Sequence, residues 1–158
     1  MAEASCSALL LFGATGDLSR RMLLPSLYAL HEDGLIEPGL RIVGTARSEH
    51  DDADFRDFAK AALDEFLPAD RKDETKLASF LERLEYQTLD ASDISGFAGL
   101  AEKLGDTSCG LSIFLSTAPA LFEPTIAGLK SAGLAHEGVR IGLEKPLGND
   151  LASSTRIN

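Results

Sequence analysis

Residues 8–21 read ALLLFGATGDLSRR, an apolar run that stops at Gly13, turns through Gly16 and continues into a helix-like segment. An apolar run this short, bounded by a glycine turn, is typical of a strand buried on both faces of a parallel sheet. Gly13 permits a sharp turn, and Gly16 removes a Cβ where a phosphate would approach the backbone. The helix that follows offers unpaired N–H groups and a positive dipole end to an anion. The stretch therefore predicts a phosphate-binding turn of the dinucleotide type.

The turn leaves alternatives open when it is taken alone. Its spacing, Gly13-x-x-Gly16-x-x-Ser19, departs from the full G-x-G-x-x-G fingerprint, and many glycine turns bind nothing. Asp17 adds negative charge beside a pyrophosphate, and it also suits the N-cap of the helix. A P-loop is excluded because the chain contains no Gly-Lys dipeptide.

Composition limits the classes of partner. The 158 residues suit one domain, and a net charge of −10 without a basic block argues against nucleic acid or an anionic membrane. No apolar run is long enough to span a bilayer, and the N-terminal residues lack a basic segment, so we expect a cytoplasmic protein. Cys6 and Cys109 are far apart and form no CxxC, so we expect neither a disulfide nor a metal site.

Five apolar runs alternate with amphipathic segments along the chain. Strands are predicted at residues 8–12, 40–46, 85–89, 109–115 and 138–143, and helices at 18–34, 51–67, 72–84, 94–104 and 121–132. Pro25 must either kink the first helix or lie in the first turn of a restarted one. This alternation predicts an α/β fold, a doubly wound, Rossmann-like parallel sheet of order 3-2-1-4-5. Residues 1–158 are then one domain, truncated inside a helix that Asn149 or Asp150 caps.

Two further groups of residues follow strands of this sheet. An acidic residue after the second strand suits the ribose hydroxyls of NAD, whereas the arginine found here, Arg47, suits a 2′-phosphate. Taken alone, Arg47 would be interpreted as an exposed loop residue, but together with the glycine turn it favours NADP. Ser116 to Pro119, including Ala118, follow the fourth strand and are predicted to form a wall of the cofactor crevice.

The Glu144-Lys145-Pro146 corner follows the fifth strand. The Lys145 ammonium would lie at the mouth of the crevice, where it could bind an oxygen of a substrate, with Glu144 keeping it protonated. The alternative is a surface ion pair before a tight turn.

Four motifs together resemble the N-terminal domain of glucose-6-phosphate dehydrogenase: GATGDL at 13–18, PSLY at 25–28, GTAR at 44–47 and EKPLG at 144–148. The match runs in register over nearly the whole chain. The resemblance implies NADP-dependent oxidation of glucose 6-phosphate to its lactone in the pentose phosphate pathway. It also implies that the catalytic α+β domain lies outside these residues, together with the contacts of a homo-oligomer.

The same resemblance implies roles for individual residues. The coenzyme turn would be lined by Gly13, Thr15, Gly16, Asp17 and Leu18. Thr15 and Arg47 would hold the 2′-phosphate, Asp90 and Ala91 would lie near the adenosine, and Lys145 would bridge coenzyme and substrate before a cis Lys145-Pro146 bond. Met22 stands where the family often has a lysine near the sugar phosphate, which puts that contact in doubt.

A catalytic base is missing from this inventory. The family's catalytic histidine belongs to a downstream segment, and His31, His50 and His136 are expected at helix ends or in loops away from the strand ends. Asp17 and Glu144 are the carboxylates expected near the crevice, and neither is placed as a base. We therefore expect this chain to bind NADP without turnover.

Two other functions compete with that interpretation. One is a non-catalytic, NADP-sensing module. The other is a short-chain-type dehydrogenase, which requires Tyr-x-x-x-Lys, whereas Tyr28 and Tyr86 are followed four residues on by Glu32 and Asp90.

Overall fold

A computed structural model describes residues 8–36, 39–71, 73–105, 110–117, 119–134 and 139–143. Five strands form one parallel sheet: β1 (Ala8–Phe12), β2 (Arg41–Ala46), β3 (Leu84–Thr88), β4 (Leu111–Leu115) and β5 (Val139–Leu143). Their order is β3-β2-β1-β4-β5, which confirms the predicted topology. Successive strands are added on one side of β1 as far as β3 and on its other side from β4 onward. Open α/β sheets bind ligands at such a switch point, here between β1 and β4.

Helices cover both faces of the sheet. They are α1 (Leu24–Glu32), α2 (Asp52–Phe66), α3 (Glu74–Glu82), α4 (Phe97–Leu104) and α5 (Phe122–Ser131). Leu10 and Phe12 of β1 belong to the core that contains α4 and α5, whereas Leu11 belongs to the core that contains α1, α2 and α3. This alternation along a strand buried on both faces explains its continuous apolar sequence. No helix in the described part of the chain has the length and apolar character needed to cross a membrane.

The segment after the glycine turn begins with a π-helical turn, Ser19–Leu23, which leads directly into α1. The Leu24 N–H donates to the Ser19 carbonyl, and Pro25 lies in the first turn of α1. The structure therefore has the second arrangement that the sequence allowed. Proline is tolerated there because an N–H in the first turn of a helix has no intrahelical partner.

The predicted boundary between α3 and β3 is wrong. The sequence predicted a helix to Leu84 and a strand from Glu85, whereas α3 ends at Glu82 and β3 begins at Leu84. Leu84 is fully buried and pairs with Ile42 of β2, so tertiary pairing overrides the helical spacing of leucines. The predicted start of the fourth strand at Cys109 and the helix capped by Asn149 or Asp150 lie outside the described residues.

Helix α2 protects the exposed edge of β3. The Asp52 carboxylate accepts the Tyr86 N–H at 2.7 Å, and the Arg56 guanidinium donates to the Leu84 carbonyl at 3.1 Å. Both contacts use backbone groups that point away from β2, so these groups of the edge strand have hydrogen-bond partners. Asp51 begins α2 with a capping box that it shares with Asp54. These contacts fix the loop between β2 and α2 against the end of β3.

Candidate functional site

A cleft of about 260 Å³ opens at the carboxyl edge of the sheet. It is formed where β1, β2, β3 and β4 end, as expected at a topological switch point. Its walls come from the glycine turn, the loop after β2, the segment after β3 and the segment after β4. The lining residues are Phe12, Gly13, Thr15, Gly16, Thr45, Ala46, Arg47, Ser48, Leu89, Ala91, Thr117 and Leu121.

Gly13 makes the sharp turn at the end of β1. Its φ is +79°, and a Cβ there would lie 2.9 Å from Ser116 Oγ and 3.0 Å from the Ser116 carbonyl oxygen. Ser116 cannot easily move, because its hydroxyl donates to the Phe12 carbonyl at 2.6 Å. The Gly13 N–H donates to the Thr45 carbonyl at 2.9 Å, which ties the turn to β2. Only glycine satisfies both the backbone conformation and the space.

Gly16 lies at the start of the helical segment. Its N–H donates to the Gly13 carbonyl at 3.0 Å, and its own carbonyl accepts the Arg20 N–H at 3.1 Å. The N–H groups of the residues between Gly16 and Arg20 therefore belong to the unpaired first turn, which can face an anion. A Cβ on Gly16 would meet one atom within 4 Å, the Gly13 carbonyl oxygen at 3.2 Å. The protein thus leaves open space beside this turn.

Asp17 and Leu18 are not among the residues that line the cleft. The Asp17 carboxylate lies 3.0 Å from Arg20 Nη2 and 3.6 Å from Arg21 Nη1, and Asp17 is already helical. The N-cap interpretation of Asp17 is therefore wrong, because its partners are the arginines one turn later. These two cations reduce the repulsion that Asp17 would exert on a phosphate at the turn.

Arg47 lines the cleft, whereas Asp90, which lies between the lining residues Leu89 and Ala91, is not itself among the lining residues. Arg47 is exposed and lines the cleft, and within the described ranges no hydrogen bond or ion pair engages its guanidinium. The pKa of Asp90 is lowered by hydrogen bonds from the Ser92 hydroxyl and N–H, and the positive charge of Arg47 contributes. The cleft therefore presents the available guanidinium of Arg47, and Ala91 lines it as predicted.

Two threonine hydroxyls in the cleft walls have no protein partner. Within the described part of the chain, Thr45 Oγ1 and Thr117 Oγ1 are buried without a hydrogen bond, and Thr45 is 1% exposed. Burying an unpaired hydroxyl costs roughly 1–3 kcal/mol. Neither oxygen is accessible from the cleft, so a ligand or a water would have to displace part of the wall to reach it.

Sequence reasoning missed part of the lining. Thr45, Ala46 and Leu89 were assigned to strands, and Leu121 to a helix, without a site role. Their positions at strand ends were the available signal, because strand ends meet at one edge of a parallel sheet. Thr117 fell inside the predicted wall. Pro119 starts a 3₁₀ turn, Pro119–Leu121, whose last residue lines the cleft.

Several predicted residues lie outside the described ranges. They are Ala118, Glu144, Lys145, Pro146, His136, Cys6 and Cys109. The described residues contain no group of three His, Cys, Asp or Glu side chains arranged to hold a metal ion.

His50 lies in a loop, as predicted, but the prediction that it is away from the strand ends is wrong. Its N–H donates to Thr88 Oγ1 at 3.3 Å, and its ring centroid lies 5.5 Å from that of Tyr86, so it lies at the carboxyl end of β3. The loop after β2 folds back on β3, which its sequence did not reveal. His50 nevertheless does not line the cleft. His31 lies in the last turn of α1, as predicted.

His31 is held as a neutral ring. Its Nδ1 accepts a hydrogen bond from Arg83 Nε at 3.1 Å, and its Nε2 lies 2.8 Å from Ser79 Oγ. Burial lowers the pKa of His31, and the charge of Arg83 lowers it further. A histidine in this setting serves packing between α1 and α3 and does not act as a base in the cleft.

The pH dependence of stability tests this arrangement of His31. Because its pKa is lower in the folded chain than the unfolded value of 6.5, its contribution is complete above pH 6.5 and is lost as the pH falls through the folded pKa. We expect His31→Gln to flatten the decline in unfolding free energy between pH 7 and pH 5, measured by urea titration. His50→Gln is the control and should leave that decline in place; equal slopes for wild type and His31→Gln would contradict the prediction.

A comparison with known protein families identifies the family of this chain. Residues 10–158 match the family model described as "Glucose-6-phosphate dehydrogenase, NAD binding domain". This chain belongs to that family. The sequence resemblance is thereby confirmed, including the assignment to the N-terminal, coenzyme-binding part.

Relatives of known name support the same family. The chain is 57% identical over 152 residues to glucose-6-phosphate 1-dehydrogenase of Zymomonas mobilis, covering 96% of this chain and 31% of the relative. It is 39% identical over 153 residues to that of Mycolicibacterium smegmatis, covering 94% and 31%. The solved glucose-6-phosphate 1-dehydrogenase of Mycobacterium avium superposes with a TM-score of 0.85 at 32% identity, covering 96% of this chain and 32% of that one. The chain thus spans about a third of the length of these relatives.

Proposed function

We propose that this chain is the coenzyme-binding domain of an enzyme that oxidises D-glucose 6-phosphate to 6-phospho-D-glucono-1,5-lactone while NADP is reduced to NADPH. The names of the relatives support the reaction, and a solved relative is described as a complex with its substrate glucose 6-phosphate. These names favour an enzyme over a sensing module. The absence of Tyr-x-x-x-Lys in the sequence disfavours a short-chain dehydrogenase.

The available guanidinium of Arg47 is the observation that supports NADP over NAD as the coenzyme. It lies one strand from the glycine turn and lines the same cleft as Thr15 and Gly16. A guanidinium can bind a 2′-phosphate in a bidentate manner, whereas the ribose hydroxyls of NAD favour an acidic residue at this position. The cleft volume of about 260 Å³ suits one end of a dinucleotide and not the whole molecule. We assign this end to the adenosine 2′-phosphate.

The remaining cleft residues fit the same ligand. The open space at Gly16 and the unpaired first turn of the helix suit the pyrophosphate. Leu89, Ala91 and Leu121 line the cleft and supply apolar contact for the ligand. Once bound, NADP supplies the acceptor for the hydride from C1 of the sugar. We propose that Lys145 contacts both coenzyme and sugar phosphate.

We infer that the described residues near the cleft bind and orient the coenzyme without taking the proton of the sugar hydroxyl. Asp17 is engaged by Arg20 and Arg21, and Asp90 by Ser92. His31 serves the packing of two helices. We therefore expect the purified chain to bind NADP more tightly than NAD in isothermal titration and to form no NADPH from glucose 6-phosphate. Equal affinity for the two dinucleotides would contradict the NADP assignment, and turnover by the chain would contradict the missing base.

A further inference from the structure

Tyr86 is a buried residue of β3 whose hydroxyl contacts the loop that carries Arg47. The single proton of its hydroxyl is shared between the Ser48 carbonyl, 2.7 Å from Oη, and the Ala46 carbonyl, 3.2 Å away. These two carbonyls flank Arg47 on either side. One hydroxyl thus holds the backbone before and after the guanidinium.

The ring of Tyr86 has little freedom to move. It is 3% exposed and packs between Phe55, at 5.4 Å between ring centroids, and His50, at 5.5 Å. Its N–H is bound by Asp52 at 2.7 Å, so the main chain is fixed as well. Burial raises the pKa of Tyr86, which keeps the hydroxyl a donor over the neutral range.

A second, weaker tie holds the same loop. Thr88 Oγ1 donates to the Ser48 carbonyl at 3.3 Å and accepts the His50 N–H at 3.3 Å. The 2.7 Å contact of Tyr86 is the shorter of the two ties to Ser48. The Ala46 carbonyl also accepts the Leu89 N–H at 2.9 Å, so the sheet itself holds the backbone before Arg47. The tie that Tyr86 adds is the one after Arg47, at the Ser48 carbonyl.

We propose that Tyr86 is a positioning residue for coenzyme selectivity: its hydroxyl fixes the loop so that Arg47 faces the cleft. This inference rests on the proposed contact of Arg47 with a 2′-phosphate. A preorganised guanidinium does not have to be ordered when the ligand binds, so it binds the phosphate more tightly than a mobile one. The ribose hydroxyls of NAD gain little from the same ordering.

Tyr86→Phe tests the inference, because it removes one hydroxyl and keeps the ring. We expect the ratio of NAD to NADP dissociation constants, measured by isothermal titration of the chain, to fall about threefold to tenfold, the range of one net hydrogen bond. Tyr28→Phe is the matched control: Tyr28 is also buried, and its hydroxyl also bonds the main chain, at Asp73, away from the cleft. It should lower the melting temperature without changing the ratio.

The outcomes separate this inference from the proposed function. A wild-type chain without preference for NADP would overturn both. Preference that is lost in Arg47→Ala but kept in Tyr86→Phe would overturn the role of Tyr86 alone. Equal changes of the ratio in Tyr28→Phe and Tyr86→Phe would mean that general destabilisation causes the change, and would overturn the role of Tyr86. Thr88→Val removes the longer tie to Ser48 and keeps the Tyr86 hydroxyl, so it should change the ratio less than Tyr86→Phe does. An equal or larger change in Thr88→Val would overturn the role of Tyr86.

Discussion

Arg47→Ala is expected to weaken NADP binding by about 10- to 100-fold, the range of about one hydrogen bond to a charged group. Two bonds do not contribute their full value here, because solvent screens the exposed guanidinium. NAD binding should change far less, since NAD lacks the 2′-phosphate. The measurement is isothermal titration of the wild-type chain and Arg47→Ala with NADP and with NAD. All titrations use one ionic strength, because salt screens an exposed guanidinium.

The control for Arg47→Ala is Arg140→Ala. Arg140 is an exposed arginine near the start of β5, where it pairs with Ser112, and it does not line the cleft. Its loss changes the net charge of the chain by the same amount. A comparable weakening in both variants would mean that the overall field of the acidic chain, and not a specific contact, determines NADP affinity.

Gly13→Ala is expected to reduce the free energy of unfolding by about 2–5 kcal/mol and to abolish measurable NADP binding. Two costs add: a positive φ in a residue with a Cβ costs about 1–2 kcal/mol, and overpacking costs about 1–3 kcal/mol. The second cost arises because the new Cβ would lie 2.9 Å from Ser116 Oγ and 3.0 Å from the Ser116 carbonyl oxygen. Urea titration followed by circular dichroism measures the unfolding term.

Gly133→Ala separates the two costs. Gly133 has a φ of +76°, close to that of Gly13, but a Cβ there would meet nothing within 4 Å. It should therefore show the backbone cost alone, about 1–2 kcal/mol, with NADP binding intact. Equal destabilisation in the two variants would show that the space beside Ser116 does not require glycine at position 13.

The fold was predictable because its signals are local. Each strand is a short apolar run, each helix has one apolar face, and glycine or proline separates them, so the alternation gives both class and strand order. The end of α3 was not predictable, because Leu84 fits the helical spacing of leucines and pairs instead with Ile42. That choice depends on a strand 42 residues earlier in the chain.

The site was predictable where a residue type has a special property. Gly13 and Gly16 stand out because they lack a Cβ, and Arg47 stands out because it is a cation at a strand end. Thr45 was missed because a threonine inside a strand is ordinary, and its unpartnered hydroxyl becomes visible only in the packed structure. Tyr86 was missed as a contact of the Arg47 loop because that contact depends on how the loop after β2 folds onto β3.

The most direct test of the account is to map NADP binding on the ¹⁵N-labelled chain by amide chemical shifts. We predict saturable shifts concentrated at the glycine turn (13–18), the loop after β2 (45–48) and the segment after β3 (89–91), with smaller shifts for NAD at the Arg47 loop. Saturable shifts concentrated elsewhere, for example on the groove between α2 and α3 that Lys60 and Glu74 line, would contradict it.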